Sequence, residues 1–305
     1  MITELRREVR RSTAALLATS LRPEQWTKNL LLFAGLLFGG RLLEFDAIIT
    51  ASAGFAIFSA LSGAMYLLND IWDREADRRH PLKQTRPIAS GQLDVRTAAW
   101  SAAVLIAGAI GAAWLLSPRL AGIAGTYVVL LFSYSTTLKH VVIVDVLAIA
   151  GGFVLRAVAG AVAVEVPIGS WLLVCTTLLA LFLALSKRRH ELVLLGEDAS
   201  HHRRSLEHYS PYLLDQMIAV VTASTLIAYT VFTTSADTAQ RLGTSHLAYT
   251  VPFVLYGIFR YLYLVHQRLG GGSPAEMLLT DRPLLLCVAL WALAVMLLMY
   301  SPLGR

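Results

Sequence analysis

Long apolar segments recur along almost the whole chain and constrain its fold more than any other feature. Each is close to the roughly 20 residues that a helix needs to cross the hydrocarbon core of a bilayer. We predict spans at residues 27–43, 46–68, 95–116, 119–137, 141–163, 168–186, 212–234, 247–267 and 283–301. Only 15% of the residues are charged, against about 25% in soluble globular domains. The sequence therefore predicts one membrane-embedded domain over residues 1–305, an all-α bundle of about nine transmembrane helices.

Basic residues are distributed unequally between the two sides of this predicted bundle. If the N-terminus lies inside, most of the 26 Lys and Arg residues fall in inner segments and few fall in outer ones. Because cytoplasmic loops are enriched in Lys and Arg, we predict a cytoplasmic N-terminus. Two long polar loops, 69–96 and 187–211, then face the cytoplasm. The chain is predicted to be a multi-pass protein of the cell inner (plasma) membrane, with its active site on the cytoplasmic side.

The net charge of +6 fits this topology and contact with anionic lipid head groups. It gives no reason to expect a nucleic acid as partner. The Arg-rich segment 1–22 is predicted to be an amphipathic helix lying in the membrane interface.

The first polar loop carries three aspartates spaced three and four residues apart, which places them on one face of a helix. They are Asp70, Asp73 and Asp77. Carboxylates on one face repel each other unless a cation lies between them, and ligands that are all oxygen suit Mg²⁺ bound with a phosphorylated substrate. We predict that they hold Mg²⁺ on a pyrophosphate leaving group, supported by Asn69, while Lys83 and Arg86 bind its phosphates. The alternative is a solvated charged loop.

A second group of polar residues precedes and enters the first span. Four of these side chains share a helical face, namely Arg22, Gln25, Lys28 and Asn29. Amide side chains at the head of a span are costly without partners, so we predict a phosphate-binding role for this face. In the alternative interpretation, Trp26 is an interfacial anchor and Lys28 extends its ammonium group to the head groups.

Further candidates lie where the fourth and fifth spans reach the inner face. Tyr134 and Lys139 close the fourth span, and Asp145 begins the fifth. Ionisable residues within spans are functional candidates by default, and we expect these three to belong to the substrate site. Arg156 lies three turns beyond Asp145, or about 16 Å along the helix. Its role is open between the site and a structural contact across helices.

The second polar loop is basic where the first is acidic. Lys187 and Arg188 begin it, Glu191 follows Lys187 by one helical turn, and the loop has no second Asp-rich repeat. We predict that Lys187, Arg188 and Glu191 form an anion-binding half of one site, with the Asp-rich loop as the other half.

These residues resemble the ubiquinone-biosynthesis (UbiA-type) prenyltransferase superfamily. The resemblance rests on the pattern Asn69-Asp-x-x-Asp-x-x-x-Asp77 with Arg86 and Pro87 after it, and on spans that cover essentially the whole chain. A closer resemblance, to decaprenyl-phosphate phosphoribosyltransferases, rests on Leu21–Asn29, Leu138–His140 with Asp145, Gly152–Gly160, and Lys187–Glu191 with Arg204–Glu207. It implies transfer of 5-phosphoribose from phosphoribosyl pyrophosphate (PRPP) to a polyprenyl phosphate, with Mg²⁺, for envelope glycan synthesis of the arabinan type.

The resemblance also implies roles for the basic residues. Positive charge for the lipid phosphate and the ribose phosphate would come from Lys28, Lys139, Lys187 and Arg188. In this interpretation Glu191 orients a ribose hydroxyl or a basic neighbour.

Two alternatives stay open, and the oligomeric state is undecided. The Asp-rich loop fits equally well a conventional prenyltransferase with an isoprenyl diphosphate donor and a small aromatic acceptor, although the basic second loop argues against it. A lipid or ion transporter would need more polar residues at mid-span. The spacing of Gly35 and Gly39 indicates a helix contact, either within the chain or between the chains of a homo-oligomer.

Overall fold

The computed structural model describes residues 12–81, 83–195, 204–268 and 274–301, and every regular element in them is a helix. The α-helices in chain order are α1 (Thr13–Ser20), α2 (Phe33–Phe38), α3 (Phe45–Trp72), α4 (Arg74–Arg79), α5 (Val95–Leu116), α6 (Pro118–Thr136), α7 (Val144–Ala163), α8 (Ser170–Leu195), α9 (Pro211–Thr234), α10 (Ala236–Leu242), α11 (Val251–Gln267), α12 (Pro274–Thr280) and α13 (Arg282–Tyr300). The 3-10 segments are Pro23–Leu32, Leu138–His140, Arg204–His208 and His246–Thr250. The predicted all-α fold class is confirmed.

Seven helices in the described part of the chain are long and apolar enough to cross a membrane. They are α3, α5, α7, α8, α9, α13, and α11 together with the 3-10 segment before it. The predicted count of nine is not confirmed. Segment 27–43 is divided between Pro23–Leu32 and the short α2, since Thr27, Lys28 and Asn29 shorten its apolar run. Segment 119–137 does form a continuous helix, α6, but Arg119 at its beginning and hydroxyl-bearing residues at its end shorten its apolar run.

Helix α7 lies inside the bundle and contacts α3, α6, α8 and the segment formed by Pro23–Leu32 and α2. Small residues on α7 allow the backbones to approach closely. Gly160 lies directly against the backbone of Leu32, and a Cβ at Gly35 would lie 2.6 Å from the backbone nitrogen of Ala161. The small-residue spacing that begins at Gly35 therefore marks a helix contact within the chain.

Two large apolar clusters form the core, and each packs a different set of helices. One surrounds Phe58 and Tyr127 between α3, α5, α6 and α7, and the other surrounds Phe182 and Leu214 between α8, α9 and α11. By contrast, α5 and α13 expose much of their apolar surface, with Leu115 88% exposed. Such a surface is stable in contact with lipid, because hydrocarbon tails are as apolar as the side chains.

Parts of three predicted segments lie outside the described residues. These are residues 1–11 of the interfacial segment 1–22, residue 82 of the loop 69–96 and residues 196–203 of the loop 187–211. The described remainder of the first segment contains α1, which begins after Ser12, where the Ser12 hydroxyl accepts a hydrogen bond from the backbone N–H of Ala15 at 3.3 Å.

Candidate active site

The Asp-rich segment keeps its helical spacing as the chain passes from α3 to α4. Helix α3 ends at Trp72 and α4 begins at Arg74, with Asp73 between them. The backbone N–H of Asp73 donates to the carbonyl of Asn69 at 2.9 Å, and that of Asp77 donates to the carbonyl of Asp73 at 2.7 Å. This succession places Asp70 and Asp77 on the same buried side.

Two arginines join these buried carboxylates. Arg86 Nη1 donates to Asp77 Oδ2 at 2.5 Å and to Asp70 Oδ1 at 3.1 Å. Arg22 Nη2 also donates to Asp70 Oδ1, at 2.5 Å, and its guanidinium lies over the ring of Tyr66. The structure therefore places Arg22, which belongs to the polar group at the entry of the first predicted span, directly against the Asp-rich segment.

Asp73 has different partners from the other two aspartates. Its carboxylate accepts a hydrogen bond from the Asn69 amide at 3.0 Å and from the Lys139 ammonium at 2.7 Å. Lys139 lies in the 3-10 segment Leu138–His140, between α6 and α7. Asn69 thus holds the Asp73 carboxylate from one side, and Lys139 joins the Asp-rich segment to the connection between α6 and α7.

The predicted three-carboxylate cluster is only partly assembled. Asp70 and Asp77 both reach the same guanidinium nitrogen, so their oxygens face one point. In addition, Asp70 Oδ2 is buried without a hydrogen-bond partner in the described part of the chain. Hard carboxylate oxygens of this kind fit a divalent cation such as Mg²⁺. Asp73 turns toward Lys139 instead, and no group of three His, Cys, Asp or Glu side chains converges as a metal site within the described ranges.

Arg188 is the central residue of the second half of the site. Its side chain is almost fully buried and donates to Asp145 at 2.8 Å, to Glu191 at 2.5 Å and to the Tyr134 hydroxyl at 3.1 Å. Two carboxylates and a phenol therefore use most of its hydrogen-bonding capacity. Asp145 itself is fully buried, so the structure places Arg188 and Asp145 in a supporting network beneath the surface of the site.

Three lysine ammonium groups are less well matched by carboxylates. Lys187 lies 3.9 Å from Glu191, and its side chain is 43% exposed. Lys28 and Lys83 have no carboxylate oxygen within 4.0 Å among the residues that the structure describes. Such cations can accept an external anion without first breaking a strong internal ion pair.

Lys83 faces both halves of the site. Burial lowers the pKa of its ammonium group, and the positive charge of Arg86 lowers it further, while Asp77, Glu191 and Asp73 act in the opposite direction. The carboxylates that act on Lys83 thus come from the Asp-rich segment and from α8. Lys83 thus lies within electrostatic reach of carboxylates from both predicted halves.

The deeper polar residues form a separate buried network. Arg156 donates to Asn29 Oδ1 at 2.7 Å, to the Tyr127 hydroxyl at 2.6 Å and to the carbonyl of Gly152 at 3.0 Å. The Asn29 amide in turn donates to the hydroxyls of Ser59 and Ser62 on α3 at 3.1 and 3.3 Å. Of the two roles left open for Arg156, the structure favours the contact across helices. Asn29 is fully buried in the same network, whereas Gln25 is partly exposed.

Several participants were not predicted as site residues. Ser205 and Tyr209 both hydrogen-bond to Asp145, at 3.5 and 3.0 Å, and Tyr127 holds Arg156. Ser205 belongs to a stretch that carried the resemblance, but a hydroxyl among charged residues gives no signal of its own. For Tyr209 the only available signal is its position just after that stretch.

Comparison with known proteins identifies the fold and the family. Residues 29–277 match the model of the UbiA prenyltransferase family. Decaprenyl-phosphate phosphoribosyltransferase of Corynebacterium glutamicum is 33% identical over 92% of this chain and 86% of its own length, and that of Mycobacterium tuberculosis is 32% identical over 90% and 91%. The structure of a UbiA homolog from Archaeoglobus fulgidus bound to GPP and Mg²⁺ superimposes with a TM-score of 0.70 at 18% identity, covering 92% of this chain and 99% of the other.

Proposed function

This chain belongs to the UbiA prenyltransferase family, and from that premise we propose that it transfers 5-phosphoribose from PRPP to a polyprenyl phosphate and releases pyrophosphate. The product would be a polyprenyl-phosphoryl-5-phosphoribose, a lipid-linked donor for envelope glycans. Relatives named decaprenyl-phosphate phosphoribosyltransferase, 32% and 33% identical over about nine-tenths of the chain, support this proposal.

The observation that carries the proposal is the pairing of an acidic half with a half rich in available cations. Asp70 and Asp77 face one point, and Lys28, Lys83 and Lys187 lack a close carboxylate partner in the described structure. The reaction brings two polyanions together, a sugar pyrophosphate and a lipid phosphate. Two anions repel unless positive charge surrounds both, so a metal site alone would not be sufficient.

The Asp-rich half would bind the donor. Asp70, Asp77 and Asp73 would hold Mg²⁺, which when bound neutralises the charge that develops on the pyrophosphate leaving group. UbiA homologues of known structure contain Mg²⁺ or Cd²⁺, which supports dependence on a divalent metal. Lys83 and Arg86 would bind the donor phosphates through charge-assisted hydrogen bonds.

The opposite half would bind the acceptor phosphate and the 5-phosphate of the ribose. Lys28 and Lys187 can supply the charge, because neither is fixed by a close carboxylate in the described structure. Arg188 would act beneath them, since Asp145 and Glu191 hold its guanidinium. Glu191 would accordingly orient its basic neighbours.

The proposed reaction is a single displacement at the anomeric carbon of the ribose. An oxygen of the lipid phosphate forms a bond to that carbon as the bond to the pyrophosphate oxygen breaks, and the electron pair leaves with pyrophosphate. The phosphate monoester is ionised already, so no strong general base is required. The configuration of that carbon would invert, and the cations around the site would stabilise the departing charge.

The proposed setting follows from the chain's apolar body. The polyprenyl tail would lie in an apolar groove between spans, in the cell inner (plasma) membrane. Both halves of the site would face the cytoplasm, where the soluble donor is available.

A conventional prenyltransferase is the second candidate, because the fold is shared with a UbiA homolog bound to GPP and Mg²⁺. Here the Asp-rich half would bind an isoprenyl diphosphate, and a small aromatic compound would be the acceptor. This assignment leaves the cations of the opposite half without an anion to bind.

The deciding experiment offers both donors to the purified protein. The protein, Mg²⁺ and polyprenyl phosphate are incubated with labelled PRPP, and in parallel a small aromatic acceptor is incubated with labelled isoprenyl diphosphate. The proposal predicts a labelled lipid only from PRPP. Transfer from isoprenyl diphosphate without transfer from PRPP would favour the second candidate.

A further inference from the structure

Tyr209 is a buried tyrosine outside the group of residues that sequence patterns identify. It follows the 3-10 segment Arg204–His208 and precedes α9, and it is 5% exposed. Its hydroxyl donates to Asp145 Oδ1 at 3.0 Å and accepts from the backbone N–H of Ile143 at 2.7 Å. Burial raises the pKa of Tyr209 to about 12, so the hydroxyl remains a donor throughout the neutral range.

The contacts of Tyr209 hold the corner between α6 and α7, residues 137–143, in place. Ile143 has a backbone φ of 68°, a conformation that a β-branched residue adopts only when its surroundings hold it there. The nearby hydroxyl of Ser205 donates to the carbonyl of Lys139 at 3.1 Å. Ser205 and Tyr209 therefore hold the corner at two points, the carbonyl of Lys139 and the N–H of Ile143.

This corner carries Lys139, whose ammonium lies 2.7 Å from Asp73 of the Asp-rich half. The same Asp145 that accepts from Tyr209 also accepts from Arg188 at 2.8 Å, and Arg188 holds Glu191 beside Lys187. Tyr209 is thus connected to one half through Asp145 and Arg188, and to the other through the backbone between Ile143 and Lys139. It is too deeply buried to touch a substrate itself.

We infer that Tyr209 is a positioning residue, which together with Asp145 sets the placement of Lys139 beside Asp73, in the half of the site that would bind the donor's pyrophosphate. The inference deepens the proposed function, since it assigns a role within the same site. It holds for either donor considered above, because both release pyrophosphate. Removing the hydroxyl leaves the Ile143 N–H and one oxygen of Asp145 without their buried partner, so the corner relaxes toward other arrangements.

The test compares two buried tyrosines that differ in their hydrogen bonds. Tyr261 is also 5% exposed, but its hydroxyl has no hydrogen-bond partner among the residues that the structure describes. Tyr209→Phe and Tyr261→Phe therefore remove the same atom from similar environments. The full-length proteins are purified, and calorimetric titration with inorganic pyrophosphate in excess Mg²⁺ gives the dissociation constant and the fraction of molecules that bind.

We expect Tyr209→Phe to raise the dissociation constant of magnesium pyrophosphate about 10-fold, as the loss of one buried hydrogen bond predicts. The binding fraction should stay as in the wild type, and Tyr261→Phe should bind as the wild type does. A reduced binding fraction with an unchanged constant would show a purely structural role and overturn the inference. Equal constants in the two variants, or no binding of magnesium pyrophosphate to the wild type, would also overturn it. Failure of the proposed function appears separately, as absence of transfer from PRPP by the wild type.

Discussion

Substituting Arg86 should disturb the Asp-rich half directly, because one nitrogen of this side chain donates hydrogen bonds to two buried carboxylates. The side chains of Asp70 and Asp77 are only 2% and 4% exposed, whereas Arg86 is 24% exposed. In Arg86→Ala, Asp70 would retain Arg22. Asp77 would lose the cation to which its carboxylate is bound in the structure.

The expected losses of stability and of donor affinity follow from these exposures and distances. Removing one partner of a buried ion pair costs about 3–5 kcal/mol, because the other charge is left without compensation. Arg86 is partly solvated and Asp70 keeps a second cation, so we expect a loss near the lower end, about 3 kcal/mol in the free energy of unfolding. The proposed contact with donor phosphate is a charge-assisted hydrogen bond worth about 1.5–3 kcal/mol, which corresponds to an increase in the donor KM of about 10-fold to 100-fold.

Two assays measure these effects independently. Reversible unfolding in detergent gives the free energy of unfolding, and steady-state kinetics at saturating polyprenyl phosphate gives the KM for PRPP. Arg79→Ala is the matched control, since Arg79 is exposed on the same short helix, α4. Added Mg²⁺ should restore part of the lost stability of Arg86→Ala, because it neutralises the same carboxylates.

The reasoning would be refuted if Arg86→Ala unfolded with the same free energy as Arg79→Ala. That result would mean that Asp70 and Asp77 do not depend on the guanidinium. An unchanged KM for PRPP, in a variant with the expected loss of stability, would remove Arg86 from the donor site while leaving its structural role intact.

Substitutions of three other residues, Lys187, Lys83 and Asp73, test the rest of the site. Lys187→Gln should raise the KM of one of the two phosphate substrates about 10-fold while the unfolding free energy stays constant, and unchanged kinetics for both would exclude Lys187 from the site. Because burial lowers the pKa of Lys83, its charge is present below that pKa and is lost as the pH rises through it. As the pH is raised, the affinity for PRPP should therefore begin to fall at a lower pH than it would with an exposed lysine. Lys83→Arg should move this loss of affinity to higher pH. An unchanged pH profile of affinity would contradict the assignment. Asp73→Asn should abolish labelled transfer while leaving insertion and folding intact. The control Asp94→Asn, which retains a good helix N-cap, should remain active. Normal turnover by Asp73→Asn would contradict the donor assignment.

Local patterns in the sequence predicted the helices well, because length and hydropathy determine whether a segment can span a bilayer. The exceptions have local causes. Polar Lys28 and Asn29 divide the first predicted span, and polar residues at both ends shorten the apolar run of α6. In both cases the apolar pattern was real, but polar side chains interrupt it.

The candidate site was predicted as a set of residues, but the partners within that set were not. Spacing placed Asp70 and Asp77 on one face because helix geometry is local. No local rule connects Lys139 to Asp73 or Arg188 to Asp145, which lie 66 and 43 residues apart in the chain. Those pairs depend on how α6, α7 and α8 pack.

Buried polar networks were the hardest feature to predict. The sequence presented Asn29 and Asp145 as candidates for substrate binding, since polar groups in a membrane span are costly without partners. The partners are instead Ser59, Arg156 and Tyr209, on other helices and segments. A buried polar side chain needs a partner in either case, and its sequence position does not distinguish a substrate from another part of the protein.

In the proposed reaction, the 5-phosphoribosyl group of PRPP is joined to a lipid phosphate and pyrophosphate is released. The most direct test uses two samples of PRPP, one labelled in the 5-phosphate and one labelled in the pyrophosphate, each with polyprenyl phosphate and Mg²⁺. The account predicts that the 5-phosphate label enters the lipid fraction and that the pyrophosphate label remains entirely in the aqueous fraction. Pyrophosphate label in the lipid, or no label in the lipid from either sample, would contradict it.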